Sequence, residues 1–185
     1  RVRYDHRRNR WLVWNEHRWA PDVDGGVYRL AVSAARKRYE EATAIENLAE
    51  RTFAARWAIQ SESRQKLDAT LGIAKNLVPL ADSGENWDNN RWLLSVLNGI
   101  VDLHTGLLRV GVPSDRITMS TGVSCRPDAE CPLWECFINE TFEGDEEIIR
   151  FVHKSLGYTL TGDMSEQALF VCYGTGNNGK TVLFS

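Results

Sequence analysis

The feature that most constrains this sequence lies near its carboxyl end. Ala168-Leu169-Phe170-Val171-Cys172-Tyr173 is an unbroken apolar run of strand length. Gly174-Thr175-Gly176-Asn177-Asn178-Gly179-Lys180-Thr181 follows it at once. The pair fits G-x-x-x-x-G-K-[ST], the phosphate-binding loop, in the strand context that the motif requires. Physics accounts for the residue types. A buried strand delivers the chain to a sheet edge. Gly174, Gly176 and Gly179 let the backbone wrap closely around phosphate oxygens, and successive N–H groups form an anion nest at the start of a helix. Lys180 supplies the catalytic charge for the β and γ phosphates of ATP, and Thr181 offers its hydroxyl to Mg²⁺. Asn177 and Asn178 tolerate left-handed turns. The expected nucleotide-binding set is therefore Gly174, Thr175, Gly176, Asn177, Asn178, Gly179, Lys180, Thr181 and Val182. The bland alternative is a glycine-rich turn that happens to contain Gly-Lys-Thr, and the strand in front of it argues against that.

A phosphate loop is not a complete NTPase. Hydrolysis also needs an acid on a second strand for Mg²⁺, a residue that positions water and an arginine from a neighbour. The chain opens on Arg1 rather than Met and stops at Ser185, four residues past the motif. It reads as a fragment of a longer protein, with little or no ATPase activity alone.

At 185 residues, 43% hydrophobic and 25% charged, the composition is that of an ordinary globular chain. It excludes a disordered chain, a collagen-like repeat and a disulfide-dense miniprotein. No apolar run approaches the ~18 to 20 residues that span a bilayer, so no membrane partner is expected. The net charge of -3 is unevenly spread. Residues 1–38 hold ten Arg or Lys against four acids, which leaves -9 on the remainder. A basic segment with Trp11, Trp14 and Trp19 among its arginines suits nucleic acid, through phosphate attraction and base stacking. It equally suits a tryptophan hairpin core with a solvated arginine rim, the simpler reading. Cys125, Cys131, Cys136 and Cys172 include no CxxC pair, and reduced thiols of a cytosolic protein are simpler than a zinc site.

Arg10 to Trp19 reads as a short hairpin closed by the turn residues Pro21 to Gly26. From Val27 to about Leu80 the period is helical. Ile45, Leu48, Ala49, Thr52, Phe53 and Trp57 form one apolar stripe, and Leu67, Leu71, Ala74 and Val78 another, both expected to be core. Ser63 is placed as a helix cap and Pro79 as a helix end. Asp82 to Asn90 reads as a loop. Trp92–Leu97, Ile100–Leu103 and Leu107–Val110 read as a β-meander, turned at Asn98-Gly99 and at His104-Thr105-Gly106. Asp102 and His104 therefore sit at a turn, with no nucleophile evident beside them. Leu133–Thr141 and Asp145–Leu156 read as helices, and Asp145, Glu146 and Glu147 as helix-start charges rather than metal ligands.

Several of these segments together resemble a known family. Trp11-Leu12-Val13-Trp14 with Arg18-Trp19 resembles the tryptophan hairpin that opens the conserved amino-terminal domain of phage/plasmid primase–helicases. The motor of that family belongs to helicase superfamily 3 and is related to the poxvirus primase–helicase. Leu97 to Leu108 resembles its Asn-Gly…Asp-Leu-x-Thr-Gly signature. Cys131-Pro132-Leu133-Trp134 and Leu156-Gly157-Tyr158 resemble the lead-in to the motor, and Gly174 to Thr181 its loop. Val182 departs from the second hydroxyl residue that many members carry. The resemblance implies an α+β fold: a tryptophan β-hairpin, a helical domain and a small β-meander over residues 1–126. Residues 127–185 would then be the truncated start of an α/β AAA+-like ATPase. It also implies a cytoplasmic parent, encoded by a phage or mobile element, that forms a ring such as a hexamer and unwinds DNA with ATP and Mg²⁺ during replication.

Two other classes compete. A non-catalytic module binding DNA or a replication partner, with an incomplete loop, fits the basic amino terminus. A small-molecule kinase is disfavoured by the long helical region preceding the loop.

Overall fold

The computed structural model describes residues 1–174 and 179–183. The chain divides into two compact units, Arg1–Asn89 with Gly111–Met119, and Asn90–Val110 with Ser120–Ser185. The described residues hold six α-helices and two small sheets, an α+β architecture.

In the first unit a four-stranded sheet runs in the order β3-β2-β1-β4. Its strands are β1 (Val2–Asp5), β2 (Arg10–Trp14), β3 (Trp19–Pro21) and β4 (Ala81–Asp82). The expected tryptophan hairpin is β2–β3, with Trp14 opposite Trp19. Leu12, Trp19 and Trp87 form its buried cluster, and Trp14 packs against them. The indoles meet edge to face, 5.6 Å apart for Trp14–Trp19 and 5.8 Å for Trp19–Trp87, the arrangement that aromatic quadrupoles favour. The indole N–H of Trp19 donates to the carbonyl of Pro113 at 3.0 Å, so the ring is buried without an orphaned donor.

Two strands differ from expectation. β1 extends the hairpin, and β4 pairs with β1 in parallel, Tyr4 opposite Ala81 and Asp5 opposite Asp82. Asp82, read as loop, is therefore a strand residue. The pairing joins segments separated by three helices, and no local periodicity announces it.

The arginines of this region are largely spent on the fold. The fully buried Asp5 accepts from the N–H of Arg8 and from its guanidinium, with Arg10 3.8 Å away. Arg18 donates to the carbonyl of Thr118, and Arg3 lies over the Trp19 ring. Gly84 is held at φ +84, and a Cβ there would overlap the Asp5 carboxylate, so this approach needs glycine. Around the hairpin, the tryptophan core with an arginine rim is the arrangement found.

Asp82 anchors a second charged cluster. Arg116 grips both carboxylate oxygens at 2.9 Å and lies over the Trp87 ring, whose N–H also donates to Asp82. Burial acts to raise the Asp82 pKa. Hydrogen bonds from Arg116 and from the N–H of Gly84, the guanidinium charge and the indole outweigh it, and the carboxyl sits below its ordinary 3.8. A depressed folded pKa contributes stability that is present above the unfolded value and is lost as pH falls through the folded one. The melting temperature of the chain should therefore drop on acidification below about pH 4. Asp82→Asn should be less stable at neutral pH and should lose less on acidification. Melts followed by circular dichroism across pH check both, and equal acid losses in the two proteins would contradict the assignment.

Three helices follow the hairpin: α1 (Gly26–Thr43), α2 (Leu48–Ser61) and α3 (Arg64–Ala74). Asn47 caps α2 by accepting from the N–H groups of Ala49 and Glu50. Ser63 stands at the N-cap of α3, as expected, without a side-chain cap bond, and α3 ends at Ala74, short of Pro79. The expected core stripe of α2 is reversed. Its buried residue is Ala58, facing a helix whose own buried positions include Ala35 and Ala42. Leu48, Phe53 and Trp57 are exposed. Small side chains let two helix backbones approach closely, so the alanine face of α2 wins the interface and the aromatic face turns outward.

In the second unit, β5 (Leu93–Val96), β6 (Gly99–Asp102) and β7 (Leu107–Arg109) form the expected antiparallel meander. Asn98 does more than turn the chain. Its side chain donates to the carbonyl of Cys125 and accepts from the Cys125 N–H, both at 2.9 Å, latching the following segment to the hairpin. α4 (Pro132–Thr141) and α5 (Glu146–Thr161) match the two expected helices, α5 running five residues further. Asp145 caps α5 by accepting from the N–H groups of Glu147 and Ile148, as helix-start chemistry requires. Arg91 and Asp163 form an ion pair near its far end. A single turn, α6 (Lys180–Leu183), follows Gly179.

The expected strand at Ala168–Tyr173 is not formed. The segment has no strand assignment, and Leu169, Val171 and Tyr173 are exposed. A strand exists only where a neighbour takes up its backbone hydrogen bonds, and no described strand pairs with this one.

Candidate functional site

The phosphate-loop residues are described at their two flanks. Gly174 closes the extended segment with φ +154, and Gly179 resumes the chain at φ +79, a left-handed conformation that suits glycine. Thr175, Gly176, Asn177 and Asn178 lie outside the described residues. Gly179 approaches α4 so closely that a Cβ would stand 3.1 Å from the Phe137 ring and 3.2 Å from the Thr141 hydroxyl. Lys180 then opens α6, and the N–H of Leu183 donates to the carbonyl of Gly179 at 2.9 Å, closing the first helical turn. Thr181 and Val182 are exposed. A left-handed glycine leading into a helix is the exit that the motif needs. The donor set that follows it, an ammonium and a hydroxyl, suits a nucleotide phosphate with Mg²⁺.

Beside Gly179 lies an apolar cavity of about 600 Å³, lined among others by Phe142, Phe151, Leu156, Phe170 and Leu183. Phe170 meets Phe151 edge to face at 6.0 Å and Tyr158 at 6.5 Å. The run preceding the loop thus rests its one half-covered aromatic on α5 instead of on a sheet.

The remaining candidates have structural roles. The carboxylate of Asp102 accepts from the N–H groups of His104 and Thr105, and His104 stacks on Trp92 with ring centroids 3.9 Å apart. The pair shapes a turn. The Cys136 thiol donates to Glu140 at 3.3 Å, and that bond and the Glu140 charge push its pKa above the ordinary 9.0, which disfavours the thiolate a metal needs. Among the described residues no group of three or more His, Cys, Asp or Glu stands at metal-holding distance.

Residues 1–143 match the family model described as "D5 N terminal like". The chain belongs to the D5 N terminal-like family. The match includes the tryptophan hairpin, the three helices, the meander and α4, and Gly174 to Thr181 lie beyond it. Over 103 residues the chain is 31% identical to the protein named "Putative helicase L207/L206" of Acanthamoeba polyphaga mimivirus. That similarity covers 53% of this chain and 10% of the viral protein, so the chain spans about a tenth of the relative it matches. Together the two place this D5 N terminal-like chain in a phage and viral primase–helicase family. No helix among its described residues is long and apolar enough to cross a membrane.

Sequence reasoning missed the Asp82–Arg116 cluster and the outward aromatic face of α2. The first joins residues far apart in sequence, which composition does not reveal. The second had a signal: Ala54, Ala55 and Ala58 occupy the opposite side of the helix.

Proposed function

We propose that this chain is part of an ATP-dependent DNA helicase of the primase–helicase type, coupling ATP hydrolysis to unwinding in replication. The observation that carries the reading is the order of features. A family domain over residues 1–143 is followed by Gly174 to Thr181, with its fixed glycine spacing and its Gly-Lys-Thr. In this account residues 1–126 precede the motor and residues 127–185 begin it. Lys180 neutralises the β and γ phosphates of ATP, Thr181 supplies a hydroxyl to Mg²⁺, and the backbone from Gly174 to Val182 cradles the phosphates. The full protein assembles as a ring, such as a hexamer, around DNA in the cytoplasm. The name of the mimivirus relative supports helicase over kinase.

Reading the gene past codon 185 tests the proposal. A second apolar strand ending in paired acids, then a third ending in Asn, is expected. An immediate stop codon would favour the non-catalytic module instead. The 185-residue chain is expected to hydrolyse ATP no faster than buffer, because a phosphate loop alone does not complete an NTPase. Turnover by the purified chain that disappears in Lys180→Ala would contradict that expectation.

A further inference from the structure

We propose that the outward face of α2, with residues from α1 and α3, is a binding site for single-stranded DNA. Phe53 is 75% exposed and Trp57 47%. Helical spacing sets Phe53, Arg56, Trp57 and Gln60 on one face of α2. Arg38 of α1 lies over the Trp57 indole, its guanidinium carbon 4.6 Å from the ring centroid, so a cation and an aromatic surface are held together. The same two side chains line a pocket of about 220 Å³ with Lys66, Gln60 and Thr70. It offers two cations, an amide and a hydroxyl beside the alanines of α1, in a space roomy enough to admit a phosphate group.

The charges are available. Arg36 pairs with Glu62 and Arg64 with Asp68. Among the described residues, Arg38, Arg56 and Lys66 have no carboxylate partner within ion-pair distance. Glu50, one turn before Phe53, bounds the patch. Three unneutralised cations beside two exposed aromatic rings match a polyanion whose flat groups are unpaired. Bases stack on Trp57 and Phe53, and a phosphate sits between Arg38 and Lys66. Duplex DNA hides its base faces and leaves the rings unused. The choice of DNA rests on the proposed helicase reading. Binding here needs neither nucleotide nor Lys180, so the two readings fail separately.

The test uses fluorescein-labelled oligo-dT and the 185-residue chain without nucleotide, read by anisotropy over a series of salt concentrations. Salt-dependent binding is expected. Trp57→Ala should weaken it by about tenfold with an unchanged salt slope, and Trp57→Phe should restore most of the affinity. Lys66→Gln should flatten the slope by about 0.7, one phosphate contact on a single strand. Phe53→Ala is the second stacking variant, at a position whose exposure leaves the fold independent of it. Circular dichroism confirms that each variant is folded. No binding at low salt, with the face left to a protein contact, would overturn the proposal. So would binding that neither Trp57→Ala nor Phe53→Ala weakens.

Discussion

Replacing Lys180 with Ala in the full-length protein is expected to cut ATP hydrolysis by about 10²- to 10³-fold and leave its melting temperature unchanged. In the proposed reading the Lys180 ammonium offsets charge on the phosphoryl oxygens that grows as the transition state is approached. Nucleotide binding should weaken less than turnover, because backbone N–H donors to phosphate do not depend on this side chain. Lys180→Arg keeps the charge but presents a planar fork where a compact ammonium is needed, and should recover little. Thr181→Ala should impair turnover in a way that raised Mg²⁺ partly relieves, and Thr181→Ser should be near normal. Thr181 and Val182 are exposed in a helix of four residues, so variants at these two positions remove no buried packing. Hydrolysis rates beside melting curves separate the two effects. A Lys180→Ala protein that hydrolyses ATP normally would remove the loop from the account.

The largest structural effect should come from Trp19. It is 2% exposed and the bulkiest of the fully buried side chains. Trp19→Ala removes the ring that touches both Trp14 and Trp87 and leaves the Pro113 carbonyl without its indole donor. Truncating a buried aromatic of this size costs about 3–5 kcal/mol, a large share of the stability of a small unit. Trp19→Phe retains the edge-to-face packing and loses the hydrogen bond, so it should cost less than half as much. Urea denaturation followed by circular dichroism gives both values. A Trp19→Ala loss below about 1 kcal/mol would mean that the hairpin core is not the centre of this unit.

Residues whose chemistry is local were legible. The hairpin at Trp14–Trp19, the Asn98-Gly99 turn and the start of α5 at Asp145 follow from turn propensity, strand alternation and capping, each set within a few residues. Residues whose roles depend on distant partners were not. β4 becomes a strand only because β1 is there to pair with it, and Arg116 is a clamp only because Asp82 lies opposite. The helical period of α2 was correct and its polarity wrong. Hydrophobicity favoured burying Phe53 and Trp57, while close helix packing selected Ala58. Ala168–Tyr173 has the composition of a buried strand without a sheet to join, and composition alone cannot supply one. Of the candidate site, the motif is a property of the sequence alone, and the described geometry adds only the left-handed Gly179 that leads into α6.

Strand displacement by the full-length protein on a forked DNA duplex distinguishes a helicase from a module that only binds. Assays with ATP and Mg²⁺, with a non-hydrolysable ATP analogue, and with the Lys180→Ala protein are compared. Unwinding is expected with ATP and Mg²⁺ alone, and none with the analogue or the variant. Unwinding that persists without hydrolysis or in the variant, or no unwinding under any condition, would contradict it.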